Sequence, residues 1–159
     1  MEISYEENCN TLINNYLEEV EFLIKAQKYQ LSFLLLSQII EFLGSLIDDK
    51  PLRAKDQSKK RFSLALKKLF KAEYHKANDK DFLYYQYRCN MSHLLSGSAN
   101  ILLTNSEKTP KILHLKTNNN KLLLVIEPLF EDTQLACQKF MFKLKNNEYK
   151  AKKGLNTFD

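Results

Sequence analysis

Residues 31–46, LSFLLLSQIIEFLGSL, place apolar side chains three and four positions apart along the chain. The apolar positions of the repeat are Leu31, Leu34, Leu35, Ile39, Phe42, Leu43 and Leu46. This spacing puts them on one face of an α-helix, which completes a turn in about 3.6 residues. We predict a strongly apolar helix that ends near Ile47–Pro51, because proline disfavours helical geometry in the preceding residue.

A first helix of about 20 residues is predicted before this stretch. Ser4 and Glu7 have the spacing of a capping box, in which two side chains satisfy two backbone amides at a helix start. The apolar positions behind it are Leu12, Ile13, Tyr16, Leu17, Val20, Leu23 and Ile24. We place a tight turn near Lys25–Gln30, with one bent continuous helix as the alternative, since neither glycine nor proline separates the two patterns.

Two more helices are predicted after a polar surface loop at residues 51–60. The third helix has the amphipathic positions Phe62, Ala65, Leu66, Leu69 and Phe70. The segment Asn78–Asp81 is predicted to cap the fourth helix, and Gly97 with its neighbouring serines is predicted to end it.

The hydrophobic pattern changes after the fourth helix. Asn100–Thr104, Lys111–Lys116 and Lys121–Glu127 are short β-prone runs separated by residues that form turns. A last helix is predicted to begin at Pro128, followed by a frayed polar tail over residues 146–159. The predicted fold is mainly α: a bundle of four to five helices with a small antiparallel β-hairpin or meander before the last helix, in one domain over residues 1–145.

The composition excludes several classes of function. The 159 residues suit one soluble domain, and no apolar run approaches the roughly 20 residues that span a bilayer, so we expect a cytoplasmic protein and no membrane contact. Cys9, Cys89 and Cys137 are odd in number and far apart, which favours reduced thiols. The histidines show no ligand spacing, and we expect neither a metal nor another cofactor; His75 and His114 are interpreted as surface residues.

Charge is unevenly distributed along the chain. Residues 1–50 have a net charge of −6, residues 51–93 of +7 and residues 94–159 of +4. A basic segment concentrates polyanions such as RNA by Coulomb attraction and counterion release. The alternative is a solvated lysine-rich surface with no ligand.

The basic segment runs into residues 84–93, YYQYRCNMSH, which hold Arg88 and His93. Histidine exchanges a proton near neutral pH, and arginine forks onto a phosphate, so the pair could cleave a phosphodiester without a metal. In an ideal helix, residues five apart point about 140° away from each other. The two side chains converge only if the helix distorts, if the Arg88 side chain curls back, or if a second subunit completes the site, so we expect a homodimer.

This segment resembles the HEPN superfamily (higher eukaryotes and prokaryotes nucleotide-binding domain), helical bundles with an arginine followed after four to six residues by a histidine. Tyr84, Arg88, Cys89 and His93 match a pattern of bacterial proteins of this kind that have a β-hairpin after the histidine. Glu41 looks like the acidic residue on an earlier helix that often faces the motif. This chain departs from the family pattern at Cys89, because many active members have a polar residue directly after the arginine.

The resemblance implies a metal-independent endoribonuclease of the toxin or defence type, active as a dimer. His93 would transfer the proton and Arg88 would stabilise charge on the phosphate. Asn90 would donate a supporting hydrogen bond, and Glu41 would orient Arg88 or His93. The alternatives are a non-catalytic HEPN-like module that binds nucleic acid, nucleotide or protein, and a purely structural interaction protein.

Further residues are candidates for RNA contact. Tyr84 and the neighbouring tyrosines could stack on bases, although such runs more often pack in cores and interfaces. Lysines of the third helix could follow a phosphate backbone, and the candidates are Lys59, Lys60, Lys67, Lys68 and Lys71. An ordinary amphipathic helix would expose lysines in the same way.

Overall fold

A computed structural model describes residues 3–155 of the chain. The α-helices are α1 (Tyr5–Lys25), α2 (Tyr29–Ile47), α3 (Ser58–Leu69), α4 (Ala72–Ala77), α5 (Asn90–Leu94) and α6 (Ile126–Lys145). The strands are β1 (Ile101–Thr104), β2 (Thr117–Asn118) and β3 (Lys121–Val125). Short 3₁₀ turns cover Asp79–Asp81 and Lys111–Leu113, and Tyr84–Cys89 form a π-helix that continues into α5. The fold is therefore mainly helical with a small sheet before the last helix, as predicted.

The helix boundaries follow local signals in the sequence. Ser4 caps α1, with reciprocal hydrogen bonds between Ser4 and Glu7 at 2.8 and 3.2 Å, so the predicted capping box is confirmed. The chain turns between Lys25 and Tyr29, and α2 ends at Ile47. The six-residue helix α4 was not predicted, because it is too short to show a period.

Helix α2 lies at the centre of the core, in contact with α1, α3 and α6. More than half of its residues are buried, among them Phe33, Leu36, Ile40 and Leu43. By length and composition alone, the 19-residue helix α2 could cross a membrane. The expectation that no apolar segment approaches the length of a membrane span is therefore wrong for α2. In this structure α2 is instead the core helix of a globular domain.

Helices α2 and α3 approach closely at Gly44. A Cβ atom on Gly44 would lie 1.9 Å from the carbonyl oxygen of Arg61, a distance that no side chain tolerates. The glycine is therefore required by packing, and the close approach brings Ser58 at the start of α3 next to Glu41 of α2.

The sheet has the order β1–β3–β2. The predicted antiparallel pairing holds for β2 and β3 but is wrong for β1 and β3, which are parallel. Strand β3 pairs antiparallel with β2 but parallel with β1, in the register Ile101 to Leu122 and Thr104 to Val125. Residues 105–120 connect β1 to β3, and a parallel pair needs such a connection of a dozen or more residues. Residues 111–116 form a 3₁₀ turn and a bend at Leu115 (φ 61°) instead of the predicted strand.

The last helix and the tail also differ from expectation. Helix α6 begins at Ile126, and Pro128 lies in its first turn, where a missing backbone N–H breaks no helical hydrogen bond. Residues 146–155 are packed against the domain rather than frayed: Tyr149 stacks on Phe140 with ring centroids 5.9 Å apart. Lys152 hydrogen bonds to the Asp48 carboxylate and to the carbonyl oxygens of Ser45 and Lys50. The rest of the predicted tail, residues 156–159, lies outside the described residues.

Candidate functional site

Arg88 lies on the π-helix of residues 84–89, which we call the widened turn. Hydrogen bonds in a π-helix join residues five apart instead of four, and such turns occur frequently at functional sites. The widened turn continues without a break into α5, which carries His93. Arg88 thus lies in a distorted part of the helix, whereas residues 90–94, which include His93, are α-helical.

Contacts with α2, with α3 and within the widened turn hold the Arg88 side chain. Its Nε donates to Oε2 of Glu41 at 2.6 Å, and its Cζ lies 5.7 Å from the centroid of the Tyr84 ring. The same Glu41 oxygen accepts a hydrogen bond from Ser58 at 2.9 Å, and Ser58 accepts one from the Tyr84 hydroxyl at 3.1 Å. Burial raises the pKa of the Tyr84 phenol, so it remains a donor at neutral pH.

This arrangement leaves part of the Arg88 guanidinium available. Among the described residues, the Nη atoms of Arg88 have no hydrogen-bond partner, and 16% of the side chain is exposed. Glu41 therefore fixes the direction of the guanidinium through Nε, while the two terminal nitrogens keep their donors for an oxyanion.

His93 is exposed on α5, and no side chain within residues 3–155 hydrogen bonds to its ring. The preceding residue, Ser92, accepts a hydrogen bond from Gln38 of α2 at 2.9 Å, which ties α5 to α2. No hydrogen bond joins His93 to Arg88 within one chain. The imidazole is therefore open to solvent and to a ligand.

Asn90 does not point its donor outwards as the sequence interpretation supposed. Its side-chain amide donates to the carbonyl oxygen of Gln86, one turn earlier, at 3.0 Å. It would have to leave this bond to contact a phosphate.

The three neighbouring tyrosines have different environments. Tyr87 is buried in the core and donates to the carbonyl oxygen of Phe33 at 2.6 Å. Tyr84 packs against Phe62 and Tyr85 as well as Arg88. Tyr85 is 49% exposed, so of the three candidate tyrosines it presents the most accessible ring for stacking.

The lysines of α3 and the α3–α4 junction separate into two groups. Lys59 pairs with Asp81 at 3.5 Å and also contacts Tyr85, and Lys71 pairs with Asp132 at 2.6 Å. Lys60, Lys67 and Lys68 are exposed and form no ion pair with any described residue. These three are the cations that remain available to a polyanion.

The prediction that His114 is a surface residue is wrong. The backbone N–H of Val125 donates to His114 Nδ1 at 3.0 Å, so the ring proton is on Nε2, which lies 2.7 Å from the Tyr74 hydroxyl. Tyr74 in turn donates to Asp132 at 2.9 Å. Burial lowers the pKa of His114 to about 4, with Asp132 opposing that shift and Lys71 adding to it. His75, in contrast, is exposed as predicted.

Local sequence did not reveal Ser58 or the widened turn. Ser58 bridges Glu41 and Tyr84, which are 43 residues apart in the chain, and no spacing rule connects such positions. Within residues 3–155, no three histidine, cysteine, aspartate or glutamate side chains are grouped so that they could hold a metal ion.

The fold and the site define a mainly helical domain with a small mixed sheet and an arginine–histidine motif on a widened helical turn. Comparison of the chain with protein-family models, with curated proteins and with solved structures finds no match in any of the three.

Proposed function

We propose that this chain is a HEPN-like endoribonuclease that cleaves RNA in the cytoplasm without a metal and acts as a dimer. The observation that carries the proposal is the state of Arg88: its Nε is fixed by Glu41, its Nη atoms are unpartnered among the described residues, and an exposed histidine follows five residues later. This combination supplies an oriented cation and a proton carrier on one helical segment.

The proposed chemistry uses two side chains in different roles. His93 removes the proton from a ribose 2′-hydroxyl or delivers one to the leaving oxygen. Arg88 places its terminal nitrogens against the phosphate and stabilises the charge that builds there. Glu41, with Ser58 behind it, positions Arg88 and does not contact the RNA in this proposal.

A surface on α2 and α5 supports the dimer. Tyr16, Leu35, Gln38, Ile39 and Phe42 line an open hollow of about 320 Å³, and the Gln38–Ser92 hydrogen bond puts this hollow beside α5. Next to His93 in the chain, Leu94 is 68% exposed and Leu95 is 46% exposed. Burial of these apolar side chains against a second copy would bring two widened turns to one interface.

The second candidate function is a non-catalytic HEPN-like module that binds nucleic acid, nucleotide or protein. Cys89 favours it, because a weakly polar thiol stands directly after Arg88. The amide of Asn90, the residue after Cys89, already donates to the carbonyl oxygen of Gln86.

The test is incubation of single-stranded RNA with wild type, His93→Ala and the control His75→Ala, each with and without EDTA. We expect wild type and His75→Ala to cleave in EDTA and His93→Ala to lose about 10²–10⁴-fold in rate, because proton transfer typically contributes that much. Equal rates for wild type and His93→Ala would contradict catalysis by this motif. Binding of RNA without cleavage by any of the three proteins would favour the non-catalytic module.

Sedimentation tests the dimer separately. We expect wild type to sediment as twice the 18.7 kDa chain at micromolar concentration and Leu35→Glu to sediment as a monomer. A wild type that remains at 18.7 kDa would remove the dimer from the proposal.

A further inference from the structure

The start of the widened turn is held by a side chain outside it. Asn78 is only 7% exposed, and its Oδ1 accepts a hydrogen bond from the backbone N–H of Tyr84 at 3.1 Å. Its Nδ2 donates to the Ser63 hydroxyl of α3 at 2.9 Å. One amide therefore links the first residue of the widened turn to the middle of a neighbouring helix.

The loop that carries Asn78 is fixed to the same point of α3. Ser63 donates its own proton to Asp81 Oδ1 at 2.9 Å. Lys80 and Asp81 both have positive φ angles, 50° and 59°, which residues other than glycine seldom adopt unless the surroundings hold them. Ser63 is thus the anchor of a strained connection that leads directly into the widened turn.

We propose that Asn78 and Ser63 are positioning residues that keep residues 84–89 in the π-helical form. The proposal rests on the proposed function and deepens it, because the π-helical form sets how Arg88 meets Glu41 and where α5, which carries His93, begins. If the segment relaxed to α-helical bonding, the chain after it would shift by one residue, which is about 100° of rotation. Either Arg88 would lose Glu41 or His93 would leave its present direction.

Asn78 and Glu41 act on different parts of the segment. Glu41 holds the tip of the Arg88 side chain, whereas Asn78 holds the backbone four residues before Arg88. The loss of Asn78 therefore changes the backbone register first, and the loss of Glu41 changes only the direction of the guanidinium.

The first measurement is amide hydrogen exchange by NMR on the full chain, which does not depend on any activity. Asn78→Ala removes both hydrogen bonds, whereas Asn78→Asp keeps an acceptor for Tyr84, loses the donor to Ser63 and adds a negative charge near Asp81, which is bonded to the same serine. We expect exchange at Tyr84–Cys89 to speed up about tenfold in Asn78→Ala, relative to unchanged amides of α1, and to stay near wild type at Tyr84 in Asn78→Asp. Asn14→Ala, an exposed asparagine on α1, is the matched control and should leave the segment unchanged.

If Asn78→Ala does not fold, hydrogen exchange in the Ser63→Ala variant tests the same proposal. This variant removes the anchor but leaves Asn78 itself in place, and we expect the same local acceleration at a smaller size. Unchanged exchange at residues 84–89 in Ser63→Ala and Asn78→Ala would overturn the proposal.

The second measurement separates positioning from a purely structural role. In a wild type that cleaves RNA, we expect Asn78→Ala to reduce kcat about tenfold or more with unchanged KM, and Asn78→Asp to recover most of it. Faster exchange with an unchanged kcat would reject the positioning role. If wild type does not cleave RNA, the proposed function fails, and the exchange experiment alone still decides whether Asn78 and Ser63 hold the turn.

Discussion

One arginine and one histidine of this chain have all their side-chain nitrogens hydrogen bonded within the protein, whereas a second arginine and a second histidine do not. Arg61 has a side chain only 7% exposed, and its three donor groups bind Asp48, the carbonyl oxygen of Leu52 and the carbonyl oxygen of Pro51. Both ring nitrogens of His114 are likewise engaged. Arg88 uses only Nε, and His93 has no hydrogen bond among residues 3–155.

The difference shows how a structural residue is distinguished from one available for chemistry. Where every side-chain nitrogen is engaged inside the protein, the group is committed to the fold, and its removal leaves its partners unsatisfied. Arg61 and His114 therefore stabilise the fold. Arg88 and His93 have solvent-accessible hydrogen-bonding groups that no described residue engages, and a binding or catalytic pair needs such groups.

Removal of Arg61 should have the largest effect on stability. We expect Arg61→Ala to lower the free energy of unfolding by about 3–5 kcal/mol, because the largely buried Asp48 carboxylate loses one of its two cationic partners and the carbonyl groups of Leu52 and Pro51 lose their donor. Burial alone would raise the pKa of Asp48, but its bonds to Arg61 and Lys152 lower it below the ordinary value, so the carboxylate stays charged. Urea denaturation of the Arg61→Ala and Arg88→Ala variants measures the loss of unfolding free energy. Equal losses in the two variants would contradict the distinction between a structural Arg61 and an available Arg88.

The Arg88 guanidinium should matter for chemistry more than for the fold. We expect Arg88→Lys to reduce RNA cleavage about 10²–10³-fold, since lysine keeps the charge but loses the planar fork that serves Glu41 and phosphate together. Arg53→Lys, at an exposed arginine outside the site, is the matched control. Initial rates on single-stranded RNA provide the measurement, and full activity in Arg88→Lys would show that charge alone suffices.

The half-buried His114 should make the stability of the fold depend on pH. The pKa of His114 is about 4 in the folded chain and about 6.5 in an unfolded one, so the unfolded state binds the extra proton. Stability from this residue is complete above about pH 6.5 and declines as the pH falls towards 4, by up to about 3 kcal/mol. His114→Gln can accept from Val125 and donate to Tyr74 without titrating, so its stability should fall less over this range. Parallel curves of unfolding free energy against pH would count against the His114 assignment.

The smallest effect concerns the lysines. We expect Lys67→Ala and Lys68→Ala to weaken binding to single-stranded RNA and to reduce the slope of log affinity against log salt by about 0.7 for each lost phosphate contact. Lys71→Ala should change that slope less, because Lys71 is paired with Asp132. Fluorescence anisotropy at several salt concentrations measures both, and a common slope for all three variants would remove α3 from the binding surface.

The sequence predicted well those features that depend on near neighbours. The period of the apolar residues indicated α1, α2 and α3, and Ser4 with Glu7 marked the start of α1. It predicted the sheet only in part, because parallel pairing of β1 with β3 depends on the path of a sixteen-residue connection. Nothing in the sequence indicated that Arg61 is buried, since no residue beside it in the chain reveals the partner Asp48.

By itself, the sequence determined the helical class, the approximate positions of α1, α2, α3 and α6, and the presence of an arginine and a histidine five residues apart. These are local properties, fixed by side chains within a turn or two of each other. The family resemblance named Glu41 as a residue facing the motif, but only the tertiary structure decided that Glu41 meets Arg88, 47 residues away, rather than His93. Only the tertiary structure decided, too, that His114 is half-buried and hydrogen bonded while His93 is exposed. It also decided that residues 84–89 widen into a π-helix. The physical reason is that burial and hydrogen-bond partners depend on how distant segments pack, and no periodicity encodes those distances.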